Sequence, residues 1–127
     1  MLMLSSSSIG LQAAEIVDAR IWLAPDHTRL VLDLSDSIEY NTFLLEDPHR
    51  LVVDIESSFT ALNFHRLDFT GSPISRIRTG IRNEDSLRIV LDLTGAVELE
   101  AFSLAPNNEF GERLVLDLYD KTASQQD

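Results

Sequence analysis

The chain has 127 residues, 44% of them apolar, with 10 Lys and Arg against 21 Asp and Glu and a formal net charge of -11 at pH 7. That length suits one domain with its own core, the apolar content excludes a disordered or collagen-like chain, and the negative field opposes binding to nucleic acid or anionic lipid. The absence of cysteine excludes disulfides and thiol chemistry, and no apolar stretch approaches the roughly 18 residues a membrane-spanning helix needs.

Residues 1–14 combine short apolar pieces, a serine run and small residues. They read either as the tail of a secretion signal or as a disordered or non-native leader. The pattern then changes to one strand repeated four times. Arg29-Leu-Val-Leu-Asp33-Leu34 recurs as Arg50-Leu-Val-Val-Asp54-Ile55, as Arg88-Ile-Val-Leu-Asp92-Leu93 and as Arg113-Leu-Val-Leu-Asp117-Leu118. With a period of two, the second, fourth and sixth residues of each copy share one face. Leu30, Leu32, Leu34, Leu51, Val53, Ile55, Ile89, Leu91, Leu93, Leu114, Leu116 and Leu118 are therefore the predicted core. Arg, Val and Asp fall on the opposite face, where each charge can meet its opposite on a neighbouring strand.

Two larger units follow from the order of the remaining segments. In residues 16–55 a strand ends near Arg20-Ile-Trp22-Leu23, and a turn over 24–27 leads into the first copy. A polar strand over 39–45 and a turn over 46–49 precede the second copy. Residues 74–118 repeat that order, with a strand through 77–82, a turn at 83–85, the third copy, a strand over 97–104, a turn over 105–111 and the fourth copy. The predicted fold is all-β, a sandwich of two antiparallel sheets with an internal pseudo-two-fold repeat. Residues 61–68 read as an extra strand or a short helix, and Thr79-Gly80 as a bulge or tight strand in place of a ligand site.

The arginines are the principal candidates for recognition. Arg76, Arg78 and Arg82 share one parity, with Ile77 and Ile81 on the other, and Arg20 holds the equivalent position in the first unit. A guanidinium fork pairs bidentately with a carboxylate, so these residues can form an anion-binding strip or can neutralise the acids of the sheets. Trp22 shares the outward parity of Arg20 and can stack on a sugar or cover a core edge. Tyr40 and Tyr119 carry the same two options. His27, His49 and His65 lack the spacing of a hydrolytic zinc centre, and no nucleophile elbow or phosphate loop is present.

The order Val17-Asp-Ala-Arg20-Ile-Trp22, Asp47-Pro-His-Arg50-Leu-Val-Val-Asp54, Ile77-Arg78-Thr-Gly80, Leu87-Arg-Ile-Val-Leu-Asp92 and Gly111-Glu-Arg-Leu-Val-Leu-Asp-Leu-Tyr119 resembles the AMIN domain of bacterial periplasmic N-acetylmuramoyl-L-alanine amidases. The resemblance spans residues 15–120. It implies an exported, periplasmic β-sandwich that binds peptidoglycan, is not itself catalytic, and helps target a cell-wall hydrolase to the division site. It also implies that residues 121–127 lead toward a zinc-dependent catalytic domain absent from this chain, with no cofactor in the domain present. Periplasmic division or activator proteins are the further partners it suggests. A module that docks a protein of a secretion, pilus or division assembly is the alternative.

Overall fold

The computed structural model describes residues 13–121, and residues 1–12 of the expected leader lie outside them. Four hairpins follow the alternation of the sequence. They are β1 (Ala14–Leu23) with β2 (His27–Leu34), β3 (Tyr40–Leu45) with β4 (Arg50–Ile55), β6 (Ile74–Arg82) with β7 (Ser86–Leu93), and β8 (Val97–Leu104) with β9 (Glu112–Asp120). A three-residue strand, β5 (Ser58–Thr60), pairs in parallel with β1 and was not legible in the sequence. Residues 61–68 hold a 3-10 turn at Phe64–Arg66, capped by the Asn63 side chain, which accepts from the His65 N–H at 3.0 Å.

The strands divide into a five-stranded sheet, β5-β1-β2-β9-β8, and a four-stranded sheet, β3-β4-β7-β6. Each of the two sequence units gives one hairpin to each sheet, so the central pairs β2·β9 and β4·β7 join the units. The repeated strand explains this register. Laid antiparallel on another copy, it sets the Arg of each strand opposite the Asp of the other: Arg29 faces Asp117, Asp33 faces Arg113, Arg50 faces Asp92 and Asp54 faces Arg88. A one-residue slip would lose all four juxtapositions and turn the leucines to solvent.

All twelve predicted core residues are buried, and Ile16, Ile74, Ile77, Leu87, Val97 and Phe64 complete the cluster between the sheets. Two irregularities follow from apolar residues spaced by three. Ile74 and Ile77 both face the core, and so do Ile16 and, at its margin, Ala19. A regular strand cannot aim such pairs to one side, and the register shifts between Ile74 and Arg76 and between Ile16 and Asp18. The bulge of β6 is therefore at the start of the strand, and of the two options for Thr79-Gly80 the regular strand holds, with Gly80 paired to Arg88.

Candidate functional site

The alternation that fills the core also composes two outer faces. On the four-stranded sheet, the outward positions form rows across β3, β4, β7 and β6. One row runs Asn41, Asp54, Arg88, Gly80; the next Phe43, Val52, Val90, Arg78; the third Leu45, Arg50, Asp92, Arg76. Arg82 continues this face at the end of β6. Five arginines (Arg50, Arg76, Arg78, Arg82 and Arg88) thus share the strands' outward face with two aspartates (Asp54 and Asp92), giving a local cationic surface on an acidic chain.

The two aspartates are fully engaged. Arg88 donates from Nε and Nη2 to the two carboxylate oxygens of Asp54 at 2.8 and 2.9 Å, and Nη1 of Arg82 lies 3.7 Å from the same group. Asp92 accepts from Arg78 Nε and Nη2 at 2.9 and 2.8 Å and from Arg76 Nε at 2.9 Å. Hydrogen bonding from Arg88 holds the Asp54 carboxyl below the usual range, and that from Arg78, joined by Arg76, does the same for Asp92. Arg76, Arg78 and Arg82, the predicted strip, are thus brought onto one surface, each beside an aspartate. Arg50, directly opposite Asp92 in register, is displaced from it by the two β6 arginines. Its Nε is buried without a hydrogen-bond partner.

The outer face of the five-stranded sheet has a different composition. Its rows across β1, β2, β9 and β8 read Trp22, Arg29, Asp117, Glu100; then Arg20, Val31, Val115, Phe102; then Asp18, Asp33, Arg113, Leu104. Arg29 clamps Asp117 with two bonds of 2.8 Å, and Arg20 clamps Asp33 with bonds of 3.0 and 2.8 Å. Those hydrogen bonds raise the pKa of both guanidiniums. Arg113, left over here as Arg50 is on the other sheet, donates instead to the carbonyls of Gly111 and Ala105 at 3.1 and 3.2 Å.

An aromatic groove crosses this second face. Asn107 accepts at its side-chain oxygen from the N–H groups of Glu109 and Phe110, both at 2.8 Å, and so shapes the 105–111 loop. The loop lays Phe110 between two guanidiniums, 5.2 Å from Arg20 and 5.0 Å from Arg113. Trp22, 58% exposed, lies on the same groove, which has a volume of about 270 Å³ and a floor of Val31 and Val115. Arg20 and Trp22, both predicted site residues, are therefore neighbours, but they are on the opposite sheet from Arg76, Arg78 and Arg82. The sequence reading missed Phe110. Its signal was an aromatic residue in a seven-residue Asn- and Gly-containing loop, which is short of a strand pattern.

The remaining aromatics and histidines support this end of the sheet. His27 stacks on Tyr119 with centroids 4.8 Å apart and meets the edge of Trp22 at 6.3 Å. Its Nδ1 bonds Asp26 at 2.8 Å, and its Nε2 lies 3.8 Å from Asp117. Tyr40 is partly buried against the core. Among the described residues, no group of three or more His, Asp or Glu is placed to hold a metal ion, and no helix is long and apolar enough to cross a membrane.

Comparison with known proteins agrees with this architecture. Residues 18–118 match the AMIN domain. The chain is 35% identical over 113 residues to the N-acetylmuramoyl-L-alanine amidase AmiC of Neisseria meningitidis serogroup B, a match covering 86% of this chain and 27% of that protein. It is 34% identical over 128 residues to the N-acetylmuramoyl-L-alanine amidase AmiC of Escherichia coli O6:H1, covering 97% of this chain and 31% of that protein. The chain thus spans less than a third of the length of either relative. With the sandwich, the four Arg–Asp strands and this match in agreement, the chain belongs to the AMIN domain family.

Proposed function

We propose that the chain is a non-catalytic peptidoglycan-binding module of an exported N-acetylmuramoyl-L-alanine amidase, and that it targets the parent enzyme to the division septum. The observation that carries this reading is the pair of outer faces. One sets an exposed tryptophan and a phenylalanine beside arginines; the other concentrates guanidinium groups on an otherwise acidic chain. Peptidoglycan offers both matching chemistries, with sugar rings that stack on aromatic faces and peptide carboxylates that accept guanidinium forks. Arg20 and Trp22 are assigned to the glycan, and Arg76, Arg78 and Arg82 to the anionic surface that meets the stem peptide. Zinc and the bond-cleaving groups belong to a catalytic domain outside this chain, which acts in the periplasm.

Co-sedimentation of the chain with purified sacculi tests the reading. Binding without release of peptide is expected, as is weakened binding when Arg76, Arg78 and Arg82 are all changed to Gln. No sedimentation at all would overturn it. A second reading, docking of a periplasmic protein of a division, secretion or pilus assembly, is favoured by the edge strand β6, whose Ile81 is 65% exposed. Capture of such a protein together with indifference to sacculi would select that reading.

A further inference from the structure

We infer that the outer face of the four-stranded sheet contains a carboxylate-binding site anchored by Arg50, in the groove between the 46–49 turn and the start of β6. The inference deepens the peptidoglycan reading and rests on it only for the source of the carboxylate, a free acid of the stem peptide.

Three observations converge on Arg50. The first is its vacant fork. It is in register with Asp92 on the β4 side as Arg76 is on the β6 side, yet both Asp92 oxygens are occupied by Arg76 and Arg78, and the Arg50 side chain has no hydrogen-bond or ion-pair partner among the described residues. Its Nε is withdrawn from water as well, an arrangement that leaves a strong donor unsatisfied. The second is the surrounding field. The groove has a volume of about 530 Å³ and is lined by Arg50, Arg76, Arg78, Asp92, Ser75 and His49, among others. Three guanidiniums face one carboxylate there, a local positive surplus that attracts a second carboxylate.

The third is an internal control. Arg113 stands to Asp33 much as Arg50 does to Asp92: opposite in register and displaced from the strand on the other side of the aspartate, by Arg20 of β1 alone where Arg76 and Arg78 of β6 act together. Yet the 105–111 loop gives Arg113 two carbonyl acceptors and the ring of Phe110. The four-residue 46–49 turn supplies Arg50 with neither. Surplus arginine is therefore inherent in the repeated strand, and only one of the two is left without an acceptor. Arg76 and Arg78 stand in the same groove and steer the anion, but a ligand carboxylate would have to displace Asp92 to take their forks. Arg50 requires no such exchange.

Two measurements test the site. In an NMR titration of the ¹⁵N-labelled chain, a soluble muramyl tripeptide is expected to shift the Arg50 Nε–H resonance, and the same compound with its carboxyl groups amidated is expected to leave it in place. On sacculi, Arg50→Gln is expected to weaken binding about tenfold or more, with an unchanged melting temperature. Wild type and variant should bind equally to sacculi whose carboxyl groups have been blocked as amides. Arg50→Lys, which keeps the charge and loses the fork, should fall between them and serves if the Gln variant does not fold. Equal binding of wild type to native and blocked sacculi would overturn the carboxylate site and leave the peptidoglycan reading standing. Failure to bind either would overturn the peptidoglycan reading, and titration with N-acetylalanine against its amide would then decide the site alone. A stationary Arg50 resonance in the acid titrations overturns it in every case.

Discussion

Arg88 and Arg50 begin neighbouring copies of the same strand and face the same way, but the structure assigns their removal opposite consequences. Arg88→Met takes two charge-assisted bonds from Asp54, a carboxylate that is 7% exposed and would retain only Arg82 at 3.7 Å. A fully buried pair broken in this way costs about 3–5 kcal/mol. Arg88 itself is partly open to solvent and Arg82 remains, so about 2 kcal/mol is the expected loss. For a domain of this size that lowers the melting temperature by about 6–10 °C. Arg50→Met removes a guanidinium that satisfies nothing and relieves a buried Nε, so its expected effect lies between zero and about 1 kcal/mol of stabilisation. Urea unfolding of both variants, read by circular dichroism, supplies the comparison. Adding Asp54→Asn to the Arg88 variant should recover part of its loss, because the stranded charge is removed. Equal destabilisation by the two methionine substitutions would refute the division into engaged and vacant arginines, as would a loss at Arg88 below about 0.5 kcal/mol.

Acid should weaken the fold through the same aspartates. Asp54 and Asp92 are held below their ordinary pKa by arginine, so their stabilisation is complete above the unfolded carboxylate range and is lost as pH falls through their folded values. The urea midpoint should therefore be flat near neutrality and decline below about pH 4, with a shallower decline in Asp54→Asn. Core parity is checked by Leu116→Ala, expected to cost about 2–5 kcal/mol at a fully buried site, against Ile81→Ala, expected to stay within about 0.5 kcal/mol. Trp22 is the single tryptophan of the chain, so its fluorescence reports directly on the aromatic groove. Addition of a soluble muropeptide should perturb that emission, and Trp22→Ala should weaken sacculus binding about threefold to tenfold while leaving the urea midpoint unchanged.

The fold was legible because the repeated strand encodes it twice. Its leucines define the buried side, and its Arg and Asp, four positions apart, dictate antiparallel pairing with another copy. Strand order was not legible, since four self-complementary strands can pair in several ways and only the connections between hairpins decide among them. This uncertainty carried over to the candidate site. Arg76, Arg78 and Arg82 read equally as an anion-binding strip or as partners of the sheet acids because the turn over 83–85 joins β6 to β7 but nothing in the sequence shows that two of the arginines reach Asp92. Arg50 read as a member of the charge ladder because its directly opposed partner is indeed an aspartate. The register is as expected, but competition for that aspartate is settled from β6, by Arg76 in register and Arg78 on the diagonal. Ile81 is the counterpart in the core. It has inward parity, yet β6 runs past the packed region and leaves it exposed.

One strand grammar has therefore produced two unlike surfaces, and the differences lie where the repeat is loosest. Trp22 pairs with Arg29 at the position where Gly80 pairs with Arg88. A Cβ added at Gly80 would meet nothing within 4 Å, so the four-stranded sheet is bare where the five-stranded sheet carries an indole. The hairpin loops diverge in the same sense, seven residues closing over Arg113 and four leaving Arg50 open. Acidic residues follow suit: Asp18, Glu98 and Glu100 join the outward positions of the five-stranded sheet, while arginines outnumber acids on the other. None of these positions contributes to the core, so either face can change its ligand chemistry while the leucine ladders and their register stay fixed. A glycan strand that carries carboxylate-bearing peptide branches is the kind of ligand that rewards such a division, with the aromatic face suited to the glycan and the Arg50 face to the peptide acid.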